Sequence, residues 1–264
     1  MKNIEKIMLS VAATIVLDTG VAHQAFAQSK TQSPAQRTAI MKQADRELGR
    51  RIGALSALSA RIGEMTLLPA SDSAPVASLI QSQLTLLSAR KKEIDSEALT
   101  KDPTELKDDV DSITNSYPVF ALILSQGTIE VTADRSLTIV GILNDLGAKF
   151  SDRIAAAQSP GKNVTSTNAT LANFNGKVSD ANAQTAAIIS EIVPLAPAYG
   201  DPTISAFNTA ALKDARLKMQ TVQQDFTAAG ADAGMIAKTL AAWTSTGTAS
   251  SSTTSSLSTS ASSR

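Results

Sequence analysis

From Leu212 onward, apolar side chains recur at Ala215, Met219, Val222, Phe226, Ala229, Ala233, Ile236, Leu240 and Trp243 in an unbroken 3,4 alternation. On a helix this spacing places all of them on one face, and held over four heptads it defines an a/d seam. With a start near Thr203, just after Asp201-Pro202, the predicted helix runs about 40 residues, or roughly 60 Å. A second seam follows Val164, Thr167, Leu171, Phe174, Val178, Ala181, Thr185, Ile188 and Ile192, and Pro194 and Pro197 end it. A third follows Met41, Ala44, Leu48, Arg51, Leu55, Leu58, Ile62 and Met65, ending before Pro69. Arg51 is the one violation in that stripe, and Ile52 beside it can widen the apolar face.

Weaker patterns lie between the seams. Val76, Leu79, Ile80, Leu84, Leu87 and Ile94 predict a helix after Pro75, with Asp72 or Ser73 as its cap. Asp102-Pro103-Thr104-Glu105 opens a short helix that Pro118 should end or kink. The continuous apolar run Val119 to Leu124 fits a strand or a buried turn, because periodicity does not decide six residues. A further helix is expected over Thr132 to Ala157, with Ile139, Leu143, Leu146, Phe150 and Ile154 inward, and it stops at Ser159-Pro160-Gly161. Six helices with breaks at Pro69, Pro118, Pro160 and Pro194 predict an all-α fold: an elongated antiparallel helical bundle of coiled-coil-like helices over 28–243.

The two ends of the chain differ from this middle. Residues 1–27 read as a cleaved secretory signal: Lys2 and Lys6 form the charged start, Ile7 to Leu17 the apolar run, and Ala25-Phe26-Ala27 the cleavage site. The run is shorter than the roughly 20 residues of a membrane span, so no transmembrane segment is expected after cleavage. Residues 244–264 hold 16 Ser or Thr in 21 positions, which cannot bury a core and predict a disordered tail, either a spacer or an O-glycosylation target.

Composition narrows the function. The one His of the chain is His23, inside the leader, and there is no Cys, so the mature 237 residues lack both. The usual base near neutral pH, the thiol nucleophile and the common soft metal ligands are therefore missing together. Without disulfides the exported chain rests on buried apolar area alone. Lys and Arg balance Asp and Glu at 22 each after residue 27, and aromatics make up 3% of the chain. A neutral, aromatic-poor chain argues against nucleic acid, which needs a basic stripe and stacking platforms.

Each candidate chemistry has a plainer reading beside it. Glu105, Asp108 and Asp109 share a helical face near Asp111 and could bridge a hard cation, but Lys107 interrupts them and no Ca²⁺ loop is present, so a solvated acidic face is favoured. Arg46, Arg50, Arg51 and Arg61 could meet a polyanion. Residues 28–66 carry seven cations and residues 93–111 eight acids, however, and complementary faces of adjacent helices explain both. Gly49 with Gly53, and Gly230 with Gly234, have small-xxx-small spacing, read here as local weak points rather than packing faces. Ser88 and Lys91 match the bare S-x-x-K spacing without companion motifs. Asn163-Val164-Thr165 and Asn168-Ala169-Thr170 are formal glycosylation acceptors. No catalytic, cofactor-binding or metal-binding residue is assigned.

Tyr117 with Val119-Phe120-Ala121-Leu122, Ala133-Asp134-Arg135, Gly161-Lys162-Asn163-Val164, and the last helix with Asp225-Phe226 and Asp232-Ala233-Gly234 carry a resemblance. Over residues 35–243 the chain resembles a family of uncharacterised, predicted secreted helical proteins from candidate-phylum bacteria. That family has a Pro near the position of Ser125, which this chain lacks. The resemblance implies an exported bundle with no established activity, and suggests Asp134 and Arg135 as an intramolecular ion pair. Together these readings point to an extracytoplasmic, non-catalytic structural or interaction protein of the cell envelope or surface, whose partner would be an envelope or surface protein. The alternative is a module that offers a helix face to a peptide, glycan or lipid.

Overall fold

A computed structural model describes residues 34–97, 108, 111–113, 115–159 and 161–249. The leader over 1–27, the short helix opened at Asp102, Glu105 and Asp109 of the acidic cluster and the tail beyond Ala249 lie outside the described residues. The fold is all-α, a helical bundle. Its long helices are α1 (Pro34–Gly63), α2 (Ala70–Glu97), α3 (Tyr117–Gln158), α4 (Thr165–Ile192) and α5 (Pro202–Ala249).

The seams set out above become the buried stripes. Every position from Val164 to Ile192 in the α4 seam is buried. In α5 the same holds for Ala215, Met219, Val222, Phe226, Ala229, Ile236 and Leu240, while Leu212, Ala233 and Trp243 are half-buried. The helix continues beyond Trp243 to Ala249.

The stretch 119–124 corrects one expectation. It is neither strand nor turn but the opening of α3, which runs 42 residues without a break. Pro118 sits in the first turn of this helix, where its missing N–H costs nothing, so it starts a helix instead of ending one. The run looked aperiodic because this segment is covered on most sides: Phe120, Leu122, Ile123, Ser125, Gln126 and Gly127 are all buried. A helix apolar all round is a buried helix. α2 likewise begins at Ala70, earlier than its predicted cap, and keeps Pro75 inside it.

The chain divides into two compact units, Met1–Thr138 with Asn182–Gln223, and Ile139–Ala181 with Gln224–Arg264. In the first, α1 and α2 are antiparallel: Lys91 pairs with Asp45, and Gln81 Nε2 donates to Ser59 Oγ at 3.0 Å. α1 runs parallel to α3, meeting it at Arg51 and Ser116, then at Leu58 and Gly127, then at Thr66 and Asp134. A Cβ on Gly127 would lie 2.8 Å from Leu58 Cδ2, so this glycine permits the close approach.

In the second unit α3 and α4 are joined across residues 159–164 and reverse direction. Phe150 meets Phe174 edge-on at 6.1 Å. Gly147 allows that contact, since a Cβ there would lie 3.1 Å from Phe174 Cε1. α5 closes the unit through Phe226, Ala229, Ile236 and Leu240, and Asp225 takes a hydrogen bond from Lys177 at 3.0 Å. Asn163 caps α4, accepting the Thr165 amide at 3.1 Å.

Candidate functional site

Two features of the first unit depart from ordinary bundle packing. The first is a polar lane inside it. Gln126, Glu130 and Asp134 follow one another at i, i+4 and i+8 along α3, so they share one helical face, and all three are buried. Asp134 is fully used: its Oδ1 accepts the backbone amides of Thr66, Leu67 and Leu68 at 3.2, 2.7 and 2.8 Å. Those three amides belong to the link between α1 and α2, so one carboxylate gathers the junction onto α3. Gln126 Nε2 donates to the Ile192 carbonyl at 2.9 Å, which ties α3 to the end of α4, but its Oε1 has no partner.

Glu130 is different. It is 0% exposed, and neither carboxylate oxygen has a hydrogen-bond partner. Burial, aided by the negative charge of Asp72 in the first turn of α2, pushes its pKa up to about 8. A carboxyl in these surroundings is held neutral at pH 7, because an unpaired buried charge costs far more than a buried acid.

Arg51 explains the one break in the α1 seam. It is 3% exposed and has partners on every side. Its Nε donates to Glu47 Oε1 at 2.7 Å and its Nη1 to the Ile113 carbonyl at 2.8 Å. The guanidinium lies 5.1 Å from the Tyr117 ring centroid and 5.5 Å from that of Phe120. Burial works against the Glu47 carboxylate, yet hydrogen bonds from Arg50 and Arg51 outweigh it and hold its pKa below the ordinary value. Arg51 is therefore a register pin between α1 and the start of α3.

The second feature is the link between α4 and α5. The Asp201 amide donates to the Ala198 carbonyl at 2.8 Å, with Tyr199 at φ 45° and Gly200 at φ 95° between them. Two left-handed residues under such a bond make a type I′ turn, whose first central position favours Asn or Gly. Tyrosine there is strained, and it stands 80% exposed. The turn feeds into α5, where Asp201 caps the helix by accepting the amides of Thr203 and Ile204 at 2.8 and 3.2 Å. Asn208 secures the link from below, donating to the Ala196 carbonyl at 2.8 Å. Ile204 and Phe207 are exposed on the first two turns, Phe207 at 57%. Apart from the capping Asp201, residues 192–212 carry no charge. The result is an uncharged aromatic and aliphatic tip on a firmly braced link.

The other candidates find ordinary places. Lys91 is committed to Asp45 and Asp95, and the Asp45 hydrogen bond raises its pKa, which makes it a poorer base for Ser88. Arg46 Nε donates to the Lys42 carbonyl, and Arg50 forms a two-pronged pair with Glu47 at 2.8 and 2.9 Å. The Lys91–Asp45 pair joins α2 to α1 just before the acidic stretch 93–111, most of which lies outside the described residues. A Cβ on Gly49, Gly53 or Gly234 would meet nothing within 4 Å, so the glycines that matter for packing are Gly127 and Gly147. Asp134 is spent on backbone amides, and Arg135 beside it is exposed, with no ion pair between them. Glu105 and Asp109 lie outside the described residues.

Among the described residues no group of three or more His, Cys, Asp or Glu is placed to hold a metal ion, and no helix is long and apolar enough to cross a membrane. No family model matches the chain, and no curated protein or solved structure is found similar to it.

Spacing alone could have exposed the lane. Gln126, Glu130 and Asp134 recur every four residues, the interval of a helix face, in a stretch with no other charged or amide side chain. Nothing in the sequence marks Tyr199 as left-handed, because the tetrapeptide Ala-Tyr-Gly-Asp carries no asparagine or glycine at the position that needs it.

Proposed function

We propose that the chain is an exported, non-catalytic interaction protein of the cell envelope or surface, and that the link between α4 and α5 is where its partner docks. The observation that carries this reading is Tyr199. A strained, exposed tyrosine where asparagine would sit at ease costs stability of order 1–3 kcal/mol and persists where the exposed ring is useful. Ile204 and Phe207 extend the same uncharged surface, and aromatic anchors are the side chains that dominate protein contacts. The leader-like start of the chain supports export.

The test uses photocrosslinking in envelope extract, comparing the full chain with a Tyr199→Ser/Phe207→Ser double variant. A crosslinked species present with the native chain and absent with the variant supports the reading. Equal crosslinking by both chains removes the tip from the account. Flotation with liposomes separates the lipid alternative: binding that survives high salt and is lost in the same variant would make the partner a bilayer.

A further inference from the structure

The lane inside the first unit holds a group with no structural use in its ionised form. Glu130 is fully enclosed, both its oxygens lack donors, and Gln126 Oε1 one turn earlier on the same face is equally uncommitted. One turn later, Asp134 grips the three amides of the α1–α2 junction. α2 starts from that junction and brings Asp72 toward Glu130. Junction, gripping acid and unpaired acid therefore lie within two turns of one helix.

We infer that Glu130 is a proton-operated latch: while it is neutral the α1–α2 junction stays seated on α3, and when it ionises inside the core the junction is released.

The groups around Glu130 leave it no other means of accepting a charge. From α2 the charged group acting on it is Asp72, which repels a second negative charge. α1 presents Leu58 and Ile62 to the adjoining Gly127 step. From α5, Arg216 reaches α3 but donates to Ser125 Oγ at 3.1 Å, and Lys218 is engaged by Glu191 of α4 and by Asp214. On its own helix, Asp134 is the nearest carboxylate in sequence, and it is filled by amides. Ionisation, in which the proton leaves to solvent base, thus creates a buried anion without a donor. It is relieved most directly by admitting water at the α1–α2 junction, residues 64–69, which Asp134 holds one turn along the same face. Opening there breaks the Asp134 contacts, which are the attachment of that loop to α3.

Reading the device needs no partner and no variant at first. Carboxyl-carbon NMR of the full chain should show Glu130 titrating near pH 8. A midpoint in the ordinary carboxylate range overturns the latch. Amide exchange at Thr66, Leu67 and Leu68, corrected for the intrinsic pH dependence, should then speed up through the same transition, by up to about tenfold per pH unit for a single linked proton. Equal protection on both sides of the transition contradicts release. Glu130→Gln keeps the shape without the charge, so its junction should stay protected across the range. A variant that opens with the native pH profile would assign the effect to another group and end the proposal.

Discussion

The first unit encloses Arg51, Ser125, Gln126, Glu130, Asp134, Ser136, Thr185 and Asn208, whereas the polar side chains buried in the second, among the described residues, are Thr167 and Asp225. Both interiors are otherwise mainly aliphatic, and the difference lies in what each asks of its polar groups. In the first unit Arg51, Gln126, Asp134 and Asn208 each hold a backbone carbonyl or amide of another segment, and they fix where helices begin and where links lie. In the second, register comes from interlocked rings and a close glycine contact at Gly147. An apolar interior is sensitive to volume and indifferent to pH. A polar one specifies position, and it is exposed to any change that alters charge.

The largest effect should come from the apolar side. Phe174 is fully buried against Phe150, and Phe174→Ala should cost about 3–5 kcal/mol, read as a loss of urea midpoint with an unchanged response to pH. Phe226→Ala, on the facing helix, should cost a similar amount. Next is Asp134→Ala, which strips three amides of their acceptor and should cost about 2–4 kcal/mol, with hydrogen exchange rising first at residues 66–68. A chain that tolerates this change would show that the lane is ornamental.

Of a different kind is the response to pH. The folded state raises the Glu130 pKa from 4.5 to about 8, so its contribution to stability is fully present below 4.5 and is lost as pH rises through 8. Between these limits stability should fall by on the order of 1 kcal/mol per pH unit, and Glu130→Gln should remove that slope. Gly147→Ala should cost about 1–3 kcal/mol, since the new methyl meets Asn175 Oδ1 and the ring of Phe174. The smallest change runs in the opposite direction: Tyr199→Asn suits the left-handed turn and should stabilise by up to about 1 kcal/mol while abolishing partner crosslinking.

How much of this could be read from residues alone follows the same division. The α4 seam from Val164 to Ile192 was legible position by position, because a helix with one buried stripe writes its period into the sequence. The opening of α3 was not, since a segment covered on most sides loses the polar face that makes a period visible. Arg51 looked like an error in a seam, and its role depends on Ile113 and Ser116, over 60 residues away, which no local pattern encodes. Of the candidate sites, Arg46 and Arg50 are visible in the sequence but are used locally, and Gly49, Gly53 and Gly234 face open space. The four-residue spacing marks Glu130 as part of a lane, but its lack of partners shows only in the structure, as does the backbone angle of Tyr199.

The contrast between the two interiors is tested most directly by residue-resolved hydrogen exchange on the full chain at pH 6 and pH 9. Opening free energies should drop in the first unit, led by Thr66, Leu67 and Leu68, while amides of Leu171–Ala181 in the second keep the values they had. Parallel loss in both units, or no loss in either, would contradict an account in which the polar interior alone answers to the proton.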